Sequence, residues 1–114
     1  MDVFSRGEPV RGYQGGMFPV FRIDVTGINL IGCSMRLVIE PRYTPGKAVF
    51  TKECTHYENA DGSEGYRVQL TTLETRNLCG SYLMHFILSD STYWEYRNLV
   101  VPLEVLPSPQ EVST

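Results

Sequence analysis

No apolar run in this chain approaches the roughly 18 residues that a membrane-crossing helix needs, so no span of that kind is expected. The opening Met1-Asp2-Val3-Phe4-Ser5-Arg6 carries an early acid and leads into no apolar segment, so no secretory signal is read there. Basic excess is missing too: 10 Lys and Arg stand against 13 Asp and Glu, a net charge of −3. The arginines (Arg6, Arg11, Arg22, Arg36, Arg42, Arg67, Arg76, Arg97) are scattered, whereas nucleic-acid binders cluster positive charge to neutralise phosphates. Neither a nucleic acid nor a membrane is expected as partner.

The chemistry-bearing residues are few. Histidine occurs only at 56 and 85, and cysteine only at 33, 54 and 79. An odd cysteine count with no secretory signal argues against a disulfide framework. Three reduced, mostly buried thiols are expected instead. Cys54-Thr55-His56 places two metal-type ligands on one strand face, but no CxxC or HxxxH pair completes a zinc site. No GxSxG, HExxH or P-loop pattern occurs. Gly12-Tyr13-Gln14-Gly15-Gly16 joins no strand to a helix, so it is no phosphate cradle. Asn59, Asp61, Ser63 and Glu64 are too poor in acids for a calcium loop and read as a hairpin turn. No catalytic residue, metal or cofactor is expected.

What the sequence does hold is β pattern. With 114 residues it fits one domain. Phe21, Ile23 and Val25 alternate with Arg22 and Asp24. Cys33, Met35, Leu37 and Ile39 face one way across a run that Pro41 ends. Lys47 to Cys54 is rich in β formers, and Asp61-Gly62 supplies a turn before Tyr66, Val68 and Leu70. Residues 73–77 suit one helical turn. Ser81 to Ser89 is apolar on both faces, which suits a central strand or one whose outer face meets a partner. Trp94 to Leu106 is the longest run, and its Pro102 belongs at an edge or bulge. Helical periodicity is nowhere sustained. The expectation is an all-β, antiparallel β-sandwich over residues 17–106. Its core is drawn from Met35, Leu37, Ile39, Tyr66, Val68, Leu70, Tyr82, Phe86, Leu99, Val101 and Leu103.

The flanks carry the remaining signal. Residues 1–16 are glycine-rich and read as an extended arm, with Val3, Phe4, Val10 and Tyr13 apolar enough to dock. Ordering such an arm costs about 1–2 kcal/mol per residue, which a neighbouring subunit can offset. The domain itself is expected to stand without it. Residues 107–114 read as a polar tail. Tyr93, Trp94 and Tyr96 form an aromatic set that serves core packing, a protein interface or sugar stacking.

Three segments carry a family likeness. Leu30-Ile31-Gly32-Cys33-Ser34-Met35 resembles a strand entry in the immunoglobulin-like domains of phage tails and baseplates, as in the N-terminal domain of baseplate upper proteins. Tyr66-Arg67-Val68-Gln69-Leu70-Thr71 is similar to the strand after the Asp-Gly turn there, and Leu78-Cys79-Gly80-Ser81-Tyr82 to the start of a later strand. The likeness spans about residues 17–107. It implies an immunoglobulin-like fold in which the Tyr82 hydroxyl bonds back to the corner at residues 75–79, with Tyr82 mostly buried. It also implies a virion building block, in head, neck, tail or baseplate, that is made in the host cytoplasm and not secreted. Its partners would be other virion proteins, in an oligomer or larger assembly. The alternative is a carbohydrate-binding module resting on Tyr93, Trp94 and Tyr96.

Overall fold

The computed structural model describes residues 9–44, 46–90 and 94–108. Among them run β1 (Val10–Tyr13), β2 (Phe21–Val25), β3 (Cys33–Pro41), β4 (Phe50–Glu53), β5 (Thr55–Glu58), β6 (Glu64–Val68), a helical turn α1 (Thr72–Thr75), β7 (Gly80–Asp90) and β8 (Glu95–Leu106). The strands form two sheets. One is five-stranded in the order β1-β8-β7-β3-β4; the other is three-stranded in the order β2-β6-β5.

Alternation explains how the sheets meet. In β3, Met35, Leu37 and Ile39 are buried while Arg36, Val38 and Glu40 stay partly accessible. The register sets Leu37 beside Phe86 and Phe86 beside Leu99. From the smaller sheet come Phe21, Ile23, Tyr66 and Val68, which join the same core. The rings of Phe21 and Phe86 meet edge to face across the sheets, with centroids 6.2 Å apart. The expected core residues are buried, except that Tyr82 and Leu99 are half-buried and packed against it. Phe18, Leu30, Leu78 and Val105 are buried there as well.

Two expectations are corrected. The large sheet is mixed rather than wholly antiparallel, because β1 lies parallel to β8 with Val10 beside Leu103 and Tyr13 beside Leu106. Almost the whole chain separates these strands, so no short hairpin dictates their direction. The segment read as an arm also divides. Residues 1–8, with Val3 and Phe4, lie outside the described residues. From Val10 onward the segment belongs to the domain's own sheet. There Arg11 Nε reaches Glu104 at 2.6 Å, Gln14 N–H donates to the Leu106 carbonyl at 2.8 Å, and the Thr75 hydroxyl donates to the Gly16 carbonyl at 2.8 Å. Glycine permits this close pairing: a Cβ on Gly12 would stand 2.4 Å from the Phe18 ring. Pro102 sits one residue before the part of β8 that β1 covers. The far edge of β8 is open there, so a missing N–H costs no bond on that side.

The turns follow their sequence signals. Gly62 takes φ +89°, and the Asp61 carboxylate accepts from Ser63 N–H at 2.9 Å, closing the β5–β6 hairpin. Thr71 and Glu74 form a capping box that starts α1. At the next corner Gly80 takes φ +116°, a conformation that other residues rarely adopt. The Tyr82 hydroxyl donates to the Cys79 carbonyl at 3.0 Å and accepts from Cys79 N–H at 2.9 Å. The bond falls where expected, but the ring is half-buried rather than mostly buried, since this corner lies at the end of the sheet.

Two measurements check this description. Tyr82→Phe removes both bonds at the corner and should lower unfolding free energy by about 1 kcal/mol in urea titrations. An unchanged midpoint would mean the corner holds without them. Deleting residues 2–14 strips β1 and uncovers Phe18 and Val105, so it should lower the melting temperature clearly; an unaltered melt would show β1 to be an ornament of the sheet.

Candidate functional site

The sequence-predicted contact residues do not converge. Val3, Phe4 and Tyr93 lie outside the described residues. Val10 faces inward, beside Leu103, and packs on the core. Tyr13 points outward beside Leu106 and is 51% exposed. Trp94 and Tyr96 stand at the opposite end of β8, 38% and 50% exposed. Ten residue steps of strand separate Tyr96 from the level of Tyr13, a distance of roughly 33 Å. Near Trp94, the loop residue Ile31 is 88% exposed, so this end of the sheet offers scattered apolar side chains.

A coherent surface lies elsewhere, on the outer face of the five-stranded sheet. The pleat and the register arrange its outward residues in rows. One row is Val38, His85 and Val100; the next is Glu40, Leu83 and Pro102; Arg36 and Ile87 form a third. Val38, Leu83, Val100 and Pro102 are each half-buried. Ile87 is 2% exposed although it lies outside the core cluster. The centre of this face is therefore apolar.

Charged pairs surround it. Arg97 and Arg36 reach Glu95 at 2.7 and 3.4 Å, His85 Nε2 lies 3.0 Å from Glu40, and Arg11 lies 2.6 Å from Glu104. The Arg97 hydrogen bond, with Arg36 beside it, holds the Glu95 carboxyl below the usual carboxylate range. An apolar centre with a polar rim is the anatomy of a protein interface. The outer face of the smaller sheet differs. There Gly65 leaves room for Tyr57 to lie across β6 and donate its hydroxyl to Asp24, and Arg22 stacks over the Tyr57 ring at 4.5 Å. That face is polar and covered by its own side chains.

The reactive side chains are occupied singly. His56 lies 2.8 Å from Glu64 and stacks edge-on against Tyr66. Among the described residues no three His, Cys, Asp or Glu side chains gather as a metal cluster. A cleft of about 430 Å³ opens beside β4 and β6, lined by Val20, Lys52, Thr55, Arg67 and Thr71. Its Lys52 amine already donates to the Gln69 carbonyl at 2.8 Å and to Glu74 at 2.9 Å. The cysteines are free; Cys33 and Cys54 are half-buried, but Cys79 is exposed, against the expectation of burial, because it sits at the α1–β7 corner. Alternation sets Arg36 and Val38 opposite the core side of β3, but the sequence does not single out Arg36, Val38 or Val100 as contact residues. The signal that reaches them is the two-sided apolar run of β7.

Comparison with known proteins finds no matching family model, no matching curated protein and no matching solved structure.

The thiols should differ in reactivity. Burial pushes the Cys54 thiol up to about 12, so almost no thiolate exists there at pH 8. Alkylation with iodoacetamide, read by peptide mass spectrometry, should label Cys79 well before Cys54. Equal rates would show the Cys54 environment to be wet and open.

Proposed function

We propose that this chain is a non-enzymatic structural subunit of a bacteriophage virion, built as an immunoglobulin-like β-sandwich that assembles through its sheet surface and its N-terminal segment. The carrying observation is the apolar outer face of the five-stranded sheet, rimmed by ion pairs. The immunoglobulin-like reading is supported by strand order. The run β8-β7-β3-β4 opposite β2-β6-β5 parallels the arrangement of variable-type immunoglobulin domains, strands G-F-C-C′ opposite B-E-D. The Tyr82 hydroxyl on Cys79 corresponds to the tyrosine corner of that fold. The virion setting rests on the resemblance of residues 30–35, 66–71 and 78–82 to phage tail and baseplate domains. Val3 and Phe4 remain the proposed contacts of the leading segment, while Val10 is engaged with its own core.

Quantitative mass spectrometry of purified particles, from the phage whose genome carries this gene, tests the reading. The chain should be present at a fixed copy number and resist removal by salt washes. Its absence from particles, with the protein free in the lysate, would overturn the virion role. A second reading, carbohydrate binding, draws on Trp94 and Tyr96, which stand exposed at alternate positions on one side of the chain. The chain has a single tryptophan, so its fluorescence reports that site directly. A saturable change on titrating host cell-wall oligosaccharides would favour this second reading.

A further inference from the structure

We propose that the outer face of the five-stranded sheet docks on the same face of a second copy of this chain, with the strands of the two copies antiparallel across the contact. The inference deepens the assembly reading by naming a first partner, and it rests on that reading only for the dimer's role.

The occupant follows from the order of charge along β3. Arg36, Val38 and Glu40 point outward in sequence, so a positive and a negative group flank an apolar one on a single strand. On β7 the same span carries Ile87, His85 and Leu83, apolar at both ends. Place a two-fold axis in the contact plane, across the strands along the row Val38, His85 and Val100. Each strand then faces its own counterpart running the other way. Arg36 of one subunit meets the partner's Glu40, and the partner's Arg36 meets Glu40. Leu83 comes to lie over the partner's Ile87, a residue its own chain already encloses, and Val38, His85 and Val100 each meet their own counterparts. One axis thus satisfies charge and apolar matching together, which is the self-complementarity a closed dimer requires. A two-fold axis along β3 instead would set Arg36 against the partner's Arg36.

The rim agrees with this. Glu104 approaches the partner's Glu95, but Arg11 already neutralises the first, and Arg97 and Arg36 the second. Two sheets packed this way keep their strands within about 30° of one another, so the central rows stay in contact while the corners diverge. Strands about 4.8 Å apart and seven or so outward and inward residues long give a footprint on the order of 500 Å² per subunit. That lies below the roughly 800 Å² per partner of a standard stable complex. The dimer is therefore weak, and its population depends on concentration.

Sedimentation velocity on the full chain, from micromolar to millimolar protein, tests the proposal. The wild type should shift from monomer toward dimer across that range. Arg36→Glu and Glu40→Arg should each weaken association by about tenfold or more, since each sets like charges together twice in the symmetric contact. The combined variant should return to within a few-fold of wild type, because the reversed pairs match again. Val100→Arg lies on another strand, touches none of the ion pairs, and should also abolish the dimer. It covers the case in which Glu40→Arg disturbs the bond Glu40 accepts from Gly46 N–H; circular dichroism checks that each variant folds. A wild type monomeric at millimolar concentration, or a dimer indifferent to Val100→Arg, overturns the proposal. Single-variant losses without rescue in the combined variant overturn the antiparallel arrangement. A dimer absent from particles would sink the virion role alone, and a monomer that still joins particles would sink this inference alone.

Discussion

β7 is the strand on which the remaining architecture depends. It pairs with β3 along one edge and with β8 along the other, from Gly80 to beyond Leu88. A strand enclosed on both edges has its backbone groups committed to ladders, so only its side chains can meet anything further. Its inward set, Met84, Phe86 and Leu88, anchors the core against the smaller sheet. The outward set, Leu83, His85 and Ile87, gives the large sheet an apolar centre. Sequence runs apolar on both faces are the mark of strands covered on both sides. Here one cover is β2 and β6; on the other side Ile87 is already enclosed by its own chain, while Leu83 and His85 are half-buried. The register shift between Phe86 and Leu88 adds local twist at the end where Arg36, Glu95 and Arg97 gather.

The two outer faces illustrate how one residue changes what a sheet can do. On the small sheet, Gly65 has no side chain, and a Cβ there would stand 2.2 Å from the Ile23 carbonyl oxygen. The gap lets Tyr57 cross the strand to Asp24, and Arg22 then stacks on the ring. The sheet is closed by its own aromatic. On the large sheet the equivalent rows hold Val38 and Val100, whose short branched side chains shield only their immediate neighbours. The apolar rows stay available to an outside surface. The difference lies in side-chain reach rather than in average hydropathy.

How far the sequence disclosed this depended on whether a residue's pattern was its own or imposed by a neighbour. β3, the Asp61-Gly62 turn and the Tyr82 corner were legible because each carries a local signal: alternation, a positive-φ glycine, a tyrosine two residues past a glycine. β1 was not. Val10-Arg11-Gly12-Tyr13 is only four residues long and interrupted by a glycine within a glycine-rich segment, and it is a strand because the open edge of β8 pairs with it. β5 has mostly exposed residues and no alternation, so nothing local marks it; its pairing with β6 is fixed by the hairpin turn. Phe18 escaped because it lies outside any strand, and its burial depends on the space above Gly12. Of the interaction residues, Trp94 and Tyr96 drew notice for their chemistry. Val38 and Val100 are unremarkable until register places them in one row with His85.

Charge placement on the large face also sets how firmly it can hold a partner. Each rim group is paired within its own subunit, Glu40 with His85 and Glu95 with Arg97 and Arg36. These rim charges are therefore already balanced within one subunit, and they alone do not force it to associate. On docking, these groups exchange water for a second charged neighbour, and desolvation offsets much of the Coulomb gain. The attraction that remains comes from the apolar rows, while the charges chiefly exclude misaligned pairings. A contact built on these terms forms readily where the chain is held at high local concentration and releases in dilute solution. That behaviour suits a subunit whose neighbours are brought to it by an assembly, and whose surface must stay soluble until then.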